Sequence, residues 1–247
     1  MRLPSPWGAL PSCQNHVTTP FRPVVLALVG CDERAYDHAM GAPSLDVVDW
    51  RRRVATLYAQ VRATSQPDAA HSTWVTGRDT LLRTHPASPV PVDARHDYPG
   101  AHIAPYDADY RFVVPLEPPS APAHRDVATG TDGVVGFALA GRVTLPEIGE
   151  LDVWWLTGYG GGLFLPIKDS TSGRLTYGGG RYVLDTAKGA DLGGDERALV
   201  VDLNFAYQPS CAYDPAWACP LPGAGNTVKT PVPVGELASH DGAFTSP

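Results

Sequence analysis

Two helical patterns come first in this chain, and a long run of short extended patterns follows them. Apolar side chains recur at helical spacing from Ser44 to Val61 and again from Ser72 to Arg83, whereas alternation replaces that spacing from Val90 onward. The 25 glycines and 25 prolines of the chain favour turns and short strands over long helices. Helices that precede strands in this way predict a mainly β, α+β fold, in which an antiparallel sheet has an N-terminal helical cover.

The strands are expected to pair with their neighbours in the sequence. Ala140-Gly141 and Glu147-Ile148-Gly149 have the composition of hairpin turns, which join consecutive antiparallel strands. We expect the sheet to close, or nearly to close, into a β-barrel, and a sandwich is the alternative. The predicted strands are Tyr110 to Leu116, Val134 to Leu139, Gly141 to Leu145, Leu151 to Leu156, Gly162 to Pro166, Arg181 to Leu184, Ala198 to Asn204 and Val228 to Val232.

Charge, hydropathy and length narrow the class of protein to which this chain can belong. A net charge of −7 weighs against nucleic acid, because phosphate binding needs clustered Lys and Arg. The sequence has no run of about 20 apolar residues, so no transmembrane helix is expected. At 247 residues the chain is long enough for one large domain. We place this domain at residues 44–238, between a disordered or processed leader, residues 1–43, and a tail, residues 239–247.

The leader contains a segment that bears on location. Leu28-Val29-Gly30-Cys31 has the residue types of a bacterial lipoprotein cleavage site, with Arg22 and an apolar run in front of it. The apolar run is short and Pro23 adjoins it, which is typical of a plain N-terminal extension. We expect a cytoplasmic location, and an exported lipoprotein anchored through Cys31 is the alternative.

A polar turn follows the strand pattern that ends at Pro166. Lys168-Asp169-Ser170-Thr171-Ser172-Gly173 offers several side-chain oxygens in succession. Acidic and hydroxyl side chains before a glycine are also the ordinary composition of a turn, because they accept hydrogen bonds from nearby backbone N–H groups. Asp169 and Thr171 are therefore candidate ligand-binding residues, with a structural turn as the alternative.

A glycine-rich turn comes next and reads Thr176-Tyr177-Gly178-Gly179-Gly180-Arg181-Tyr182. Three successive glycines let the backbone approach a ligand closely, and consecutive N–H groups can bind an anion. Arg181 supplies a planar donor fork for a carboxylate or phosphate. Tyr177, Arg181 and Tyr182 are candidate ligand-binding residues, and a turn held by a structural Arg–Asp pair is the alternative.

Two further positions are candidates for acid–base chemistry. Alternation from Val201 to Tyr207 places Asp202 and Asn204 on one strand face, where they point to water or into a barrel lumen. Asp202 is a candidate acid or base, and Asn204 is a candidate ligand-binding residue. His85, which ends the second helical pattern, is the other candidate acid or base, with a C-capping histidine as the alternative.

Cys211 and Cys219 enclose a compact loop rich in aromatic residues and proline. Their spacing matches neither a zinc motif nor a redox Cys-x-x-Cys motif. A structural role is favoured, as small buried side chains or as a loop-closing disulfide, and metal binding or a reactive thiol is the alternative. Because no histidine lies between His124 and His240, no metal ligand is assigned.

A set of motifs is spread over residues 45–237 of the chain. It comprises Arg78-Asp79, His85-Pro86-x-Ser88-Pro89, Pro105-Tyr106-Asp107, Phe164 to Asp169, Thr176 to Tyr182, Asp202-x-Asn204-x-Ala206-Tyr207, Cys211-Ala212-Tyr213, Cys219-Pro220-Leu221-Pro222 and Gly235-Glu236. With these motifs the sequence resembles the bacterial and archaeal family known as domain of unknown function 1684. The resemblance strengthens the prediction of one domain and implies no named activity.

We predict a domain that binds a small polar or anionic molecule and is able to act on it. Arg181 is expected to hold the ligand, and Asp202 or His85 to act as acid or base. One alternative is a non-catalytic structural or interaction module, which a lipid on Cys31 would anchor. The other is a metalloprotein that uses the Cys211 and Cys219 thiolates. The sequence assigns no cofactor and no oligomeric state.

Overall fold

The computed structural model describes residues 42–129, 133–195 and 197–238. Within these ranges two α-helices precede seven β-strands, in the predicted order. The predictions for Cys31 and for residues 239–247 lie outside the described residues, as does the predicted leader except for its last two residues. The elements are α1 (Ala42–Ala63), α2 (Pro67–Thr84), β1 (Arg111–Val114), β2 (His124–Ala128), β3 (Val134–Leu145), β4 (Gly149–Leu156), β5 (Leu163–Ile167), β6 (Arg181–Asp185) and β7 (Leu199–Asp202).

Both helices begin before the residues at which the sequence predicts them, Ser44 and Ser72. Pro43 stands in the first turn of α1, and Pro67 opens α2. Proline is tolerated there, because the first N–H groups of a helix have no partner within it. The apolar pattern alone therefore placed the starts too late.

The end of α2 agrees with the sequence. Pro86 disfavours helical backbone in the residue before it, and His85 is extended, with ψ 136°. The His85 N–H donates to the Leu81 carbonyl at 3.1 Å and closes the helix. His85 is thus the C-capping residue of α2.

The strands form an antiparallel sheet of five strands in the order β2-β3-β4-β5-β6, and β1 pairs with β7 in a second sheet of two strands. The hairpin turn at Glu147-Ile148-Gly149 is confirmed, since Leu145 pairs with Gly149 across it. Over the described residues the five-stranded sheet is open, with β2 and β6 at its edges. The α+β prediction is confirmed, whereas the expected closed barrel is not formed.

The predicted hairpin turn at Ala140-Gly141 is wrong. β3 runs through this point, and the register with β4 shifts between Leu139 and Gly141, which marks a bulge. A Cβ at Gly141 would collide with the Glu117 carbonyl, and the adjacent Arg142 exchanges two backbone hydrogen bonds with Glu117, each 2.8 Å long. The glycine allows a neighbouring segment to approach the strand, which is a second common use of glycine in a sheet.

Two other strand predictions need correction. Val228 to Val232 forms no strand, and Val228 instead donates to the Lys168 carbonyl at 2.8 Å in an isolated parallel bridge. Pro231 interrupts that segment and cannot donate to a ladder. β2 was not predicted, because the sequence His124-Arg125-Asp126-Val127-Ala128 is polar, as suits the exposed edge strand that it forms.

The helices cover one part of the sheet and share its core. Leu57 and Val61 of α1 and Trp74 of α2 join buried strand residues such as Val153 and Val183 in one cluster. A second cluster of aromatic residues comprises Phe137, Trp154, Phe164 and Tyr182. Neither of the described helices is both long and apolar enough to span a membrane.

Candidate functional site

Arg181, the predicted ligand clamp, is enclosed by protein atoms. Its side chain is 0% exposed at the start of β6. Nη2 donates to the Val232 carbonyl at 2.9 Å and to Asp169 Oδ2 at 3.1 Å. Nη1 donates to the carbonyls of Val234 and Glu236. Burial lowers the pKa of Arg181, and the Asp169 carboxylate opposes this effect. The guanidinium therefore fastens the segment 232–236 to the sheet.

Asp169 and Thr171 complete this internal bracket. Asp169 Oδ1 accepts the Thr171 N–H at 2.8 Å, and Oδ2 accepts the Thr176 hydroxyl at 2.7 Å. Burial raises the pKa of Asp169, but hydrogen bonds from Thr171 and Thr176 and the charge of Arg181 hold the pKa below its ordinary value. The carboxylate is thus ionised and fully engaged within the protein.

The glycine-rich turn is exposed at Gly178 and packs tightly against the protein at Gly180. Gly180 has φ +81°, and a Cβ there would lie 2.5 Å from Pro222 Cγ and 2.8 Å from the Ile167 carbonyl oxygen. The Gly180 N–H donates to the Tyr177 carbonyl at 2.9 Å, so it is engaged within the turn. The Tyr177 hydroxyl donates to the Cys211 carbonyl at 3.3 Å.

Asp202 and Asn204 form a separate cluster where β7 passes into a 3₁₀ turn. Asn204 Nδ2 donates to Asp202 Oδ1 and to the Asp107 carbonyl, both at 2.8 Å. Asp202 Oδ2 faces the Tyr106 hydroxyl at 3.5 Å and the Arg111 guanidinium at 3.6 Å. Burial raises the pKa of Asp202, while the hydrogen bonds from Asn204 and the charge of Arg111 oppose the rise. The cluster ties residue 107 to the end of β7.

His85 lies at a third place, against α1. Its Nε2 is 3.1 Å from Asp49 Oδ2, and its Nδ1 accepts the Ala87 N–H at 3.1 Å. Because Nδ1 accepts, the ring proton lies on Nε2 and donates to Asp49. The Trp50 ring packs edge-on, 5.3 Å from the imidazole centroid.

The structure does not gather the predicted residues around one ligand. Arg181, Asp169 and Thr171 lie under segment 232–236, whereas Asp202 and Asn204 lie at the end of β7. His85 contacts α1. Their catalytic and binding roles stay predictions, but each side chain has a bracing contact of its own.

A cavity of about 840 Å³ lies elsewhere, between the helices, the sheet and the loop of residues 209–220. Two of the predicted residues, Tyr182 and Cys219, line it. The Tyr182 hydroxyl donates to the Pro220 carbonyl at 2.8 Å, which fixes this ring in the wall. Aromatic rings dominate the lining, namely Trp50, Tyr58, Trp74, Phe137, Trp155, Tyr159, Phe164, Tyr182, Tyr207, Tyr213 and Trp217.

Arg78 of α2 is a cation in this aromatic wall. Its Nε and Nη2 donate to Glu236 Oε2 at 3.2 and 2.7 Å, and Nη2 lies 3.0 Å from the Tyr213 hydroxyl oxygen. The guanidinium carbon is 4.8 Å from the centroid of the Tyr207 ring. Nη1 makes no hydrogen bond with any described residue and retains access to solvent. Arg78 therefore presents free N–H groups on one edge.

Glu236 keeps Arg78 charged and in place. Its carboxylate is 2% exposed and accepts the Gln208 N–H at 3.0 Å and the Tyr213 hydroxyl, besides the two bonds from Arg78. Burial alone lowers the pKa of Arg78, but the charge of Glu236 and its hydrogen bonds raise the pKa above its ordinary value. The protein itself therefore holds this cation in place.

Tyr58 of α1 contributes a second polar group to the lining. Its ring is buried, and its hydroxyl has no hydrogen-bond partner of normal geometry among the described residues. Burial raises the pKa of Tyr58 and the Arg78 cation opposes this rise, so the phenol is neutral. Buried hydroxyls without a partner are uncommon in folded proteins.

The remaining charges of the lining lie mainly at the rim. Arg51 and Lys188 are exposed, whereas Asp185 is buried in the wall. Trp155 and Tyr159, which are among the exposed large apolar residues, extend the aromatic surface outward. Two exposed cations at the mouth of an aromatic cavity favour a ligand that carries negative charge.

Sequence reasoning missed Tyr58 and Arg78 as site residues. Tyr58 belongs to the apolar stripe of α1, and such a stripe predicts core packing without distinguishing a filled core from a cavity. Arg78 carried a usable signal, because it follows the buried Trp74 by one helical turn and so lies on the inner face of α2. An arginine at such a position needs a buried partner, which here is Glu236.

The two described cysteines are free thiols at the edge of the cavity, where Cys219 lines the wall. Within the described ranges no group of three or more His, Cys, Asp or Glu side chains is arranged to hold a metal ion. Among the described residues, the thiols of Cys211 and Cys219 accordingly have no further protein ligands of the kind that a structural zinc site uses.

Comparison with known proteins gives a family and a related structure. The family model described as "Protein of unknown function (DUF1684)" matches residues 96–237. The solution NMR structure of an uncharacterised protein from Haloarcula marismortui is 27% identical, covers 68% of this chain and 91% of that chain, and has a TM-score of 0.50. No curated protein matches the chain. The resemblance predicted from the sequence is confirmed, and the chain belongs to the DUF1684 family.

Proposed function

We propose that the cavity between α1, α2 and the sheet binds a small organic molecule with a flat apolar body and one anionic or polar group. Aromatic walls supply large contact areas for a flat body. Arg78 supplies the polar end, because its unbonded Nη1 edge can donate to a carboxylate or carbonyl oxygen. This edge is the observation that carries the proposal.

The contrast between the two buried arginines supports this choice. Nη1 and Nη2 of Arg181 donate to segment 232–236 and Asp169, and the side chain is 0% exposed. Arg78 is held equally firmly by Glu236, yet its side chain is 13% exposed and lines the cavity. Arg181 therefore serves as an internal bracket, and Arg78 takes the ligand-holding role that the sequence assigned to Arg181.

The proposal is one of binding, with Arg51 and Lys188 drawing anions toward the mouth of the cavity. Tyr58 lies in the Arg78 end of the lining, and its neutral hydroxyl becomes a donor to the ligand after a small adjustment of the wall. His85 and Asp202 lie outside the lining, so acid–base chemistry at either residue would be separate from this site.

The test uses two fluorescent probes of similar shape. Anilinonaphthalene sulfonate has a flat aromatic body and an anionic group, and N-phenylnaphthylamine is its uncharged parent. We expect the folded wild-type protein to bind the anionic probe with one-to-one stoichiometry and more tightly than the uncharged probe. Arg78→Lys keeps the charge beside Glu236 but loses the planar edge, so affinity for the anionic probe falls about tenfold, the value of one charged hydrogen bond.

Arg142→Lys is the matched control. Arg142 also pairs with carboxylates, Asp152 and Glu150, but it lies outside the cavity lining. We expect the control to bind both probes as the wild type does, and Arg78→Lys to bind the uncharged probe normally. Equal losses in the two variants, or no stoichiometric binding to the folded wild type, would contradict the proposal. Near-UV circular dichroism of each variant, which a partly unfolded state loses, excludes probe binding to such a state.

A further inference from the structure

Cys211 and Cys219 lie at the two ends of one compact loop, and their side chains meet. The Cys211 N–H donates to Cys219 Sγ at 3.4 Å, so the second sulfur lies against the backbone of the first cysteine. The Tyr177 hydroxyl lies 3.8 Å from Cys211 Sγ. Both side chains are half-buried and carry free thiols. Local contacts within the loop therefore bring together two reactive sulfur atoms that are eight positions apart.

Backbone turns maintain this arrangement. The Tyr213 N–H donates to the Ser210 carbonyl at 3.0 Å, and the Trp217 N–H donates to the Asp214 carbonyl at 3.1 Å. Pro215 further restricts the chain between these turns. A bond between the sulfur atoms would thus close a loop whose ends already lie side by side, with little loss of chain entropy from the folded state.

The surroundings make the two thiols unequal. Hydrogen bonds from the Cys211 thiol and N–H lower the pKa of Cys219 to about 6, against the effect of burial, and Lys188 and Tyr182 also lower it. The hydrogen bond to Cys219 and burial raise the pKa of Cys211, while Tyr177 opposes that rise. These effects make Cys219 the sulfur that ionises more readily to the nucleophilic thiolate, and the Cys211 N–H that donates to Cys219 Sγ at 3.4 Å favours the charge there.

We propose that Cys219 and Cys211 form a thiol–disulfide exchange site that reacts with low-molecular-weight disulfides, with Cys219 as the attacking sulfur and Cys211 as the resolving sulfur. The Cys219 thiolate attacks one sulfur of the small disulfide, and one small thiolate leaves. The Cys211 thiol loses its proton to solvent, attacks Cys219 Sγ of the mixed disulfide, and releases the second small thiolate. The protein loses two electrons, the small disulfide gains two, and the released thiolates take up protons according to pH.

This reaction goes beyond the proposed ligand binding and has a consequence for the cavity. Cys219 lines the cavity beside Trp217 and Pro220. An S–S bond would fix that part of the wall to the Cys211 turn. The oxidised and reduced proteins are therefore expected to differ in access to the cavity. The two proposals are independent, since a protein that binds no ligand could still exchange disulfides, and the reverse also holds.

The experiment uses the full chain carrying Cys13→Ser and Cys31→Ser, which removes the two cysteines outside the described residues. The folded protein is incubated with oxidised glutathione, its remaining thiols are blocked with N-ethylmaleimide, and its intact mass is measured. We expect an intramolecular disulfide, with two hydrogens lost and no maleimide added. Recovery of two maleimide-labelled thiols after incubation would overturn the proposal.

Two further variants assign the roles. Cys211→Ser keeps a hydroxyl donor beside Cys219, so we expect it to stop at a stable mixed disulfide with one glutathione. Cys219→Ser leaves the protonated Cys211, and we expect it to react at least tenfold more slowly at neutral pH. Equal rates in the two folded variants would overturn the assignment of the attacking sulfur. In urea the two rates should converge, which shows that any difference depends on the fold.

Discussion

The buried pair between Arg78 and Glu236 should account for a large share of the stability of the region beneath the cavity. Glu236→Gln keeps the size and shape of the side chain but removes its charge. The Glu236 carboxylate is 2% exposed and the Arg78 side chain 13% exposed, so the variant leaves a buried guanidinium without a counter-ion. Removing one partner of a buried pair costs about 3–5 kcal/mol.

The position of the hydrogen bonds refines this estimate. The amide can orient its NH₂ toward the Tyr213 hydroxyl oxygen and keep its carbonyl oxygen toward Arg78 and the Gln208 N–H. Tyr213 can accept this bond, although its own O–H then loses the carboxylate acceptor. The bonds from Arg78 and the Gln208 N–H survive, so the loss is mainly electrostatic. We therefore expect a loss at the lower end of the range, about 3 kcal/mol in the free energy of unfolding.

Equilibrium unfolding in urea, followed by both circular dichroism and tryptophan fluorescence, measures this difference. Glu150→Gln is the control, because Glu150 and its partner Arg142 are 60% and 47% exposed. An exposed pair of this kind contributes at most about 1 kcal/mol. A loss below about 1 kcal/mol for Glu236→Gln, or equal losses in the two variants, would refute the role assigned to the buried pair.

Two further substitutions test the internal bracket and the glycine-rich turn. The pKa of Asp169 is below its ordinary 3.8, so the ionised carboxylate stabilises the fold above that pH. The melting temperature of the wild type should exceed that of Asp169→Asn, and the difference should shrink as the pH falls through 3.8 and below. A difference in melting temperature that does not depend on pH would contradict this. Gly180→Ala should destabilise more than Gly173→Ala, because the two positions have similar φ, +81° and +79°, but only the Cβ at Gly180 meets other atoms. The positive φ alone costs an alanine about 1 kcal/mol at either position. Urea unfolding should show a further loss for Gly180→Ala, because its Cβ meets Pro222 and the Ile167 carbonyl. Equal losses of unfolding free energy in the two variants would contradict the packing argument.

Local patterns predicted the order of the elements well. The spacing of apolar residues identified α1 and α2, and the turn at Glu147-Ile148-Gly149 joins β3 and β4 as its composition indicates. These patterns could not predict whether the sheet closes into a barrel, because closure depends on strand tilt and on register between residues far apart in the chain. The hairpin turn predicted at Gly141 was wrong for a related reason, since the glycine makes room for Glu117, which approaches from another part of the chain.

The candidate site was harder to predict than the fold. The sequence identified Arg181 as the anion-binding candidate because of its glycine-rich turn, whereas Arg78 stood in no such motif, and tertiary packing determines which of the two guanidinium groups keeps an unbonded edge. The carbonyls of Val232 and Val234 bind Nη2 and Nη1 of Arg181, whose side chain is 0% exposed, whereas Nη1 of Arg78 makes no hydrogen bond with a described residue. Helical spacing places Arg78 on the inner face of α2, but the sequence does not show which donors are occupied, because segment 232–236 lies far along the chain from both arginines.

The tryptophan side chains provide the most direct test of the cavity. Trp50, Trp74, Trp155 and Trp217 line it, whereas Trp154 packs behind the lining rings and its indole N–H donates to Asn226 Oδ1 at 3.0 Å. In a titration of the labelled protein with anilinonaphthalene sulfonate, followed by NMR of the indole N–H groups, we expect the resonances of the four cavity tryptophans to shift together in a saturable manner while Trp154 stays constant. Shifts confined to the exposed Trp155, or shifts of equal size at Trp154, would contradict binding in the cavity.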